Sequence, residues 1–189
     1  MNRNLTYYGD PRLREKARVV TVFDESLRQL ADEMLEVMRV KEGIGLAAQQ
    51  VGETRSICVI HVPPASDTDD AGHRLHPDLS MPMILVNPRR VQASECTESF
   101  EEGCLSFPDI LAPIVRPTEI DLAYQDLSGA SHEVHLRGLI ARAVQHEMDH
   151  LQGVLIVDRM TQIKKLALSG RLKRLSRETK ASLKLTSGG

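Results

Sequence analysis

The pentapeptide His146-Glu147-Met148-Asp149-His150 carries the most specific chemistry in the chain. On a helix, residues i and i+4 lie about 40° apart around the axis and about 6 Å apart along it. Both imidazoles can therefore reach one divalent cation, with Glu147 projecting beside it. In that arrangement the glutamate serves as a proton shuttle rather than as a ligand. Histidines at this spacing also occur on ordinary amphipathic helices. Glutamate at the second position, with Gly138 and Gly153 bracketing a short helix, favours the metal.

Two imidazoles do not complete a catalytic centre, which needs a third protein ligand and one position left for water. Candidates are Cys58, Cys96, Cys104, the other histidines and the acids. Cys58 sits in an apolar run and reads as a small core residue. Cys104, in Glu102-Gly103-Cys104-Leu105-Ser106, follows a glycine that permits close backbone approach. Cys96 lies eight residues earlier, and spacing does not exclude it. His73 and His76 fall in a proline-rich stretch poorly suited to a preformed site. A further motif, Gly43-Ile44-Gly45-Leu46-Ala47-Ala48-Gln49-Gln50, alternates small residues, as a chain does where another backbone lies close, such as a peptide pairing along a strand edge. A tight turn after a helix has the same composition. With no Lys-Ser or Lys-Thr following, a phosphate-binding P-loop is ruled out.

Taken together and in this order, the stretches 43–50, 102–106 and 145–150 resemble the three motifs of the peptide deformylase family. Gly9-Asp10-Pro11-Arg12-Leu13 resembles that family's opening, and the run from Leu151 to Arg159 its continuation. The resemblance spans about residues 5 to 165. It implies that Cys104, His146 and His150 ligate the metal and that Glu147 is the general acid/base. It makes Gln50 and the Leu105 backbone N–H donors to the reacting carbonyl oxygen, with Ile44, Gly45 and Gly103 flanking the bound peptide. It also implies Fe²⁺ as the natural ion, with Ni²⁺, Co²⁺ or Zn²⁺ able to substitute; a thiolate and two imidazoles by themselves would suit Zn²⁺. The expected activity is removal of the formyl group from the N-terminal methionine of newly made polypeptides, releasing formate. A non-catalytic zinc module, closed by a fourth side chain, would need neither Glu147 nor Gln50. A zinc endopeptidase on the same helix would not carry Cys104 as third ligand.

Two further roles are expected near the motifs. Glu102 could accept an N–H from a ligating imidazole and fix its tautomer. Asp149 could pair with Arg116 to hold the motif helix. Leu111 stands where some relatives carry an arginine near the peptide, so preferences beyond the first residue are left open.

Composition bounds what surrounds this chemistry. The 189 residues suit one domain, and a chain of that length buries roughly 70% of its unfolded surface without needing a staple. Three cysteines, an odd number, point to a reducing compartment. No apolar run reaches the length of a membrane span, and the start of the chain lacks a secretory or transit pattern. The expectation is a monomeric, cytoplasmic, bacterial-type enzyme. With aromatics at 3% and no Trp, a base-stacking platform is excluded. The net charge of −2 is uneven: residues 164–184 hold eight Lys or Arg against Glu178 alone. That basic tail, residues 166–189, has Leu168, Leu172 and Leu175 at docking spacing; it reads either as a plain solvated helix or, through the family resemblance, as an arm that meets the polyanionic ribosome.

The elements that must position these residues are legible in part. Periodicity predicts a helix over 24–40 behind Asp24 as cap, and another over 139–152 stopped by Gly153. Strands are predicted at 55–62, 83–86, 120–124 and 132–136, with a short closing strand at 154–157. Residues 63–82, with four prolines, read as an inserted surface loop without a core of its own, near the sheet and with the cleft rim as one place for it. The predicted class is α+β: mixed or antiparallel strands around a central metal-binding helix, an N-terminal helix and a basic C-terminal helix. The catalytic domain is expected over 1–165 and the tail over 166–189.

Overall fold

A computed structural model describes residues 3–186. Its centre is a five-stranded sheet in the order β1-β2-β3-β6-β7, formed by Gly45–Ala47, Ile57–Ile60, Met83–Ala93, Glu119–Gln125 and Ser131–Arg137. Every pairing in it is antiparallel. A separate antiparallel ribbon joins β4 (Thr97–Glu102) to β5 (Ala112–Pro117).

The β1–β2 end of the sheet is buried on both faces, and the alternation of β2 shows how. Ile57 and Val59 pack with Leu27, Leu30 and Met34 of α1 (Glu25–Val40). Cys58 and Ile60 point the other way, to Ile140 and Val144 of α2 (Gly138–Leu151). A strand's period of two and a helix's apolar stripe thus place the metal-motif helix against one face and the N-terminal helix against the other. The expected Asp24 cap is present, its side chain accepting from Leu27 N at 3.1 Å. A third apolar cluster gathers Leu13, Phe107, Ile114, Leu155 and Leu172 beneath the ribbon.

Several elements depart from expectation. The polar ribbon β4–β5 escapes the periodicity reading: β4, Thr-Glu-Ser-Phe-Glu-Glu, is exposed except at Glu102, and β5 is bounded by prolines. Strand β3 runs on past Val86 through two register shifts, its outer half exposed. The closing strand at 154–157 is instead a short helix, α3 (Ile156–Arg159), because the Asp158 carboxylate accepts from Leu155 N at 2.8 Å and ion-pairs with Arg14.

The basic segment forms α4 (Gln162–Ala167) and α5 (Ser169–Thr186); residues 187–189 of the expected tail lie outside the described residues. Leu172 is buried in the third cluster, with Leu168 and Leu175 packed against it. The 63–82 insertion does not border the cleft. Leu79 and Met81 pack on the main core. Buried Asp67 accepts from His76 Nδ1 at 2.7 Å, and His76 Nε2 accepts from Arg137 N at 3.2 Å, tying the loop to the start of α2. Among the described residues no helix is long and apolar enough to cross a membrane.

Candidate active site

Helix α2 presents His146 and His150 one turn apart, and the chain entering β5 brings Cys104 to them. One ligand atom from each of the three lies within 4.8 Å of the others, and they form the one such His/Cys/Asp/Glu group among the described residues. Cys104 Sγ is 3.3 Å from His150 Nε2. The other two cysteines go elsewhere: Cys58 is wholly buried in the core under α2, where burial holds its thiol protonated, and Cys96 is exposed at the β3–β4 turn.

Glu102, at the end of β4, braces this group from behind. Its Oε2 lies 2.9 Å from His146 Nδ1, so that nitrogen donates and Nε2 is left to coordinate. Arg116 donates to both Glu102 oxygens at 2.7 and 2.9 Å, and Arg142 adds a bond at 2.7 Å. Burial alone would raise the Glu102 carboxyl, but His146 and Arg116 hold it down at about 2. Arg116 also reaches Asp149 at 2.8 Å, the pairing expected for the motif helix, and Arg159 closes on the same carboxylate at 3.0 Å. Sequence reasoning missed Arg142. The available signal was a lone cation within the otherwise apolar first turns of α2, and it donates as well to Ile114 O and Glu98 O.

Glu147 is 4% exposed, and burial pushes its carboxyl up to about 7 against the pull of the His146 and Arg116 charges. Among the described residues its Oε2 is buried without a hydrogen-bond partner, as is His150 Nδ1. Burial and the charge of His146 hold His150 well below the usual imidazole range, so it is a neutral donor. Burial also opposes charge on His146, yet Cys104 and Glu102 outweigh it and favour positive charge at that spot. A thiol, a neutral imidazole, a second imidazole oriented by a carboxylate and an unpartnered acid oxygen together fit one divalent cation with an open position.

Gln50 sits beside the group, held by the turn that follows β1. Its Oε1 accepts from Ala47 N at 2.8 Å, while Nε2 points to Ser106 Oγ at 3.3 Å and Cys104 Sγ at 3.6 Å. The N-terminal segment braces both sides: Thr6 N donates to Gln50 O at 2.7 Å and Tyr8 N to Ser106 O at 3.0 Å. Among the described residues the Leu105 amide has no backbone acceptor. The glycines have a reason that spacing did not show. A Cβ at Gly45 would run into the Glu147 carboxylate, one at Gly43 would lie 2.7 Å from Leu105 Cδ1, and one at Gly103 2.9 Å from Leu111 Cδ2. Part of the room they leave is taken by the protein's own side chains. Ile44, Gly45, Gly103, Cys104, Leu105, His146 and Glu147 all line one open cleft of about 600 Å³.

A proton carrier, a cation donor set and amide donors gathered round one spot in an open groove are the parts that hydrolysis of an acyl–nitrogen bond requires. That places the chain among the hydrolases. Comparison with known proteins narrows the class: the model of the polypeptide deformylase family matches residues 2–166, and the chain belongs to that family. A peptide deformylase from Opitutus terrae is 44% identical over 192 residues, covering 98% of this chain and 98% of the relative. One from Zymomonas mobilis is 41% identical over 171 residues, covering 90% and 91%. Among solved structures, a plant peptide deformylase matches with TM-score 0.83 at 37% identity, covering 95% of this chain and 92% of its own. The Plasmodium falciparum peptide deformylase matches with TM-score 0.82 at 34% identity, covering 94% and 98%.

Proposed function

We propose that this chain hydrolyses the formamide of N-formylmethionyl polypeptides, releasing formate and a free N-terminal methionine. The observation that carries the reading is the convergence of Cys104, His146 and His150 within 4.8 Å beside buried Glu147, on an open cleft. Cys104, His146 and His150 hold the ion. We assign Fe²⁺, with Ni²⁺, Co²⁺ or Zn²⁺ able to replace it; the thiolate and imidazoles suit all four. Bound there, a divalent cation supplies Lewis acidity that makes water a competent nucleophile near neutral pH.

The residues of the chain do the rest. Glu147, its carboxyl already raised by burial, takes a proton from the attacking water and returns it to the leaving methionine nitrogen. Gln50 Nε2 and the Leu105 N–H meet the negative charge growing on the formyl oxygen; losing one such donor costs on the order of 3 kcal/mol in the transition state. Ile44, Gly45 and Gly103 lie along the peptide. Strand β1 pairs with β2 alone, so its outer edge can accept an extended chain. We assign the chain as a monomer of a bacterial-type cytoplasm.

The division of labour is a catalytic domain over 1–165, with the 63–82 loop inserted in it, and a basic tail over 166–189, carried by α5, that meets the ribosome. Lys173, Arg177, Lys180 and Lys184 line a shallow groove along α5 beside Tyr8, a positive surface suited to RNA phosphate. Since Leu172 is buried in the body, truncation would unsettle the fold. Replacing those four cations with Gln is the cleaner test, and ribosome co-sedimentation at low salt should fall while Tm holds.

The activity itself is tested by purifying the protein anaerobically, measuring its metal, and following formate release from formyl-Met-Ala-Ser beside cleavage of an internal peptide bond. Iron at about one per chain, with formate released and the internal bond intact, is expected. Cleavage of the internal bond would instead identify an endopeptidase, and neither reaction a non-catalytic metal module.

A further inference from the structure

The two donors assigned to the formyl oxygen belong to turns far apart in sequence. Gln50 sits on the turn Ala48–Val51, and Leu105 on the turn that Phe107 N closes onto Cys104 O at 2.8 Å. Ser106 joins them. It is wholly buried, and its Oγ accepts from Gln50 Nε2 at 3.3 Å while Gln50 Oε1 accepts from Ala47 N at 2.8 Å. With a bond on each end, the carboxamide cannot flip without losing both.

A second link runs through a stretch outside the three motifs. Thr6 N donates to Gln50 O at 2.7 Å, and Tyr8 N, two residues on, donates to Ser106 O at 3.0 Å. The Tyr8 ring stacks on Phe107 at the end of the Leu105 turn, with ring centres 4.8 Å apart. The stretch is pinned in its turn. Gly9 lies so close to α5 that a Cβ there would come 2.7 Å from Ser176 O, and a Cβ at Gly52, directly after the Gln50 turn, would run into the Arg12 guanidinium. Donors to a developing oxyanion act only when aimed at it, and a small misplacement is costly. A strap anchored to the body and bonded to both turns holds that aim.

We propose that the N-terminal strap Thr6–Tyr8, with Ser106, positions the two oxyanion donors: the strap sets the spacing of their turns, and the Ser106 hydroxyl sets the direction of the Gln50 carboxamide. Thr6, Tyr8 and Ser106 are not among the residues lining the cleft, so they act through Gln50 and Leu105 rather than on the substrate. The proposal rests on the deformylase reading.

The experiment measures KM, and kcat per bound metal, for formyl-Met-Ala-Ser in a double-mutant cycle of Ser106→Ala and Gln50→Ala, with Tyr8→Ala and Tyr8→Phe alongside. Ser106→Ala should lower kcat about tenfold, with KM and metal content within about twofold of native. In the Gln50→Ala background the same change should cost less than about twofold, because the hydroxyl then has no carboxamide to aim. Tyr8→Ala should also lower kcat about tenfold, and Tyr8→Phe, which keeps the stacked ring, should restore it. Equal losses from Ser106→Ala in both backgrounds, a rise in KM in place of the fall in kcat, or full kcat in either Ser106→Ala or Tyr8→Ala would overturn the positioning role while the native protein still releases formate. If Tyr8→Ala fails to fold, the Ser106 cycle decides. No formate from the native protein would bring down the deformylase reading itself, and the strap's role with it.

Discussion

Glu102 Oε2 lies 2.9 Å from His146 Nδ1, and the same carboxylate receives Arg116 and Arg142. One side chain at the end of a ribbon strand therefore sets the tautomer of His146, on a helix 44 residues away in sequence. Removing its charge tests that link. In Glu102→Gln, metal affinity should fall about 10- to 100-fold, and buried Arg142 loses its counter-charge while Arg116 keeps only Asp149, at about 3 kcal/mol or more in stability. Metal titration and denaturant unfolding of the same preparation read both effects.

Glu147 and Gly45 form a second pair, since a methyl at Gly45 needs space the carboxylate occupies. Glu147→Gln should cut kcat by about 10²- to 10⁴-fold while the metal content stays near that of the native protein. Gly45→Ala should also retain metal, because it touches no ligand, yet lose about 10²-fold in kcat/KM through displacement of the carboxylate. A Gly45→Ala protein with full activity would show that Glu147 has room to spare.

Asp10 offers a pH test away from the metal. It caps the turn Pro11–Arg14, accepting from Arg12 N at 2.9 Å and from the Arg12 side chain at 2.6 Å. Burial raises its carboxyl, but these bonds win and hold it below the usual carboxylate range. A carboxyl lowered in the folded state contributes stability above its unfolded pKa of about 4 and loses it as pH falls through the folded value. Asp10→Asn keeps a capping side chain but loses the ion pair with half-exposed Arg12, so it should be less stable than the native protein at pH 7 by about 0.5 kcal/mol. The gap should close as unfolding is followed down towards pH 2.

Leu172 decides whether the basic helix is an appendage or part of the body. It is 6% exposed among Leu13, Phe107 and Leu155. Leu172→Ala should cost about 2–4 kcal/mol in denaturant unfolding, with one cooperative transition throughout. A change below about 0.5 kcal/mol would mean that α5 detaches before the rest unfolds.

Short-range order in this protein is written in short-range pattern. The His146/His150 spacing follows from 3.6 residues per turn, and the Asp24 cap and apolar stripe of α1 from the same periodicity, so α1, α2 and the heart of the sheet are readable without coordinates. The ribbon β4–β5 is not. Its residues are polar or proline-bounded, and they are strands because they pair with each other and because Arg142 donates to the backbone at Glu98 and Ile114. Helix α3 likewise depends on Asp158, whose partners are Leu155 N nearby and Arg14 at the other end of the chain.

The site divides along the same line. Residue types and their spacing along one helix announce a cation held by two imidazoles with an acid beside it. Spacing is silent on which of three cysteines joins them, because that depends on how the 102–106 segment crosses over α2. The fold buries Cys58 between the sheet and α2, leaves Cys96 at an exposed turn and sets Cys104 against His150. Nor does local pattern explain the glycines or Arg142. Glycine at 45 makes room for a carboxylate about a hundred residues later, and an arginine in an apolar helix is stable because Glu102 arrives from another strand to neutralise it. Periodicity is a property of neighbours in sequence; charge neutralisation and close packing are properties of neighbours in space, which the folded chain alone defines.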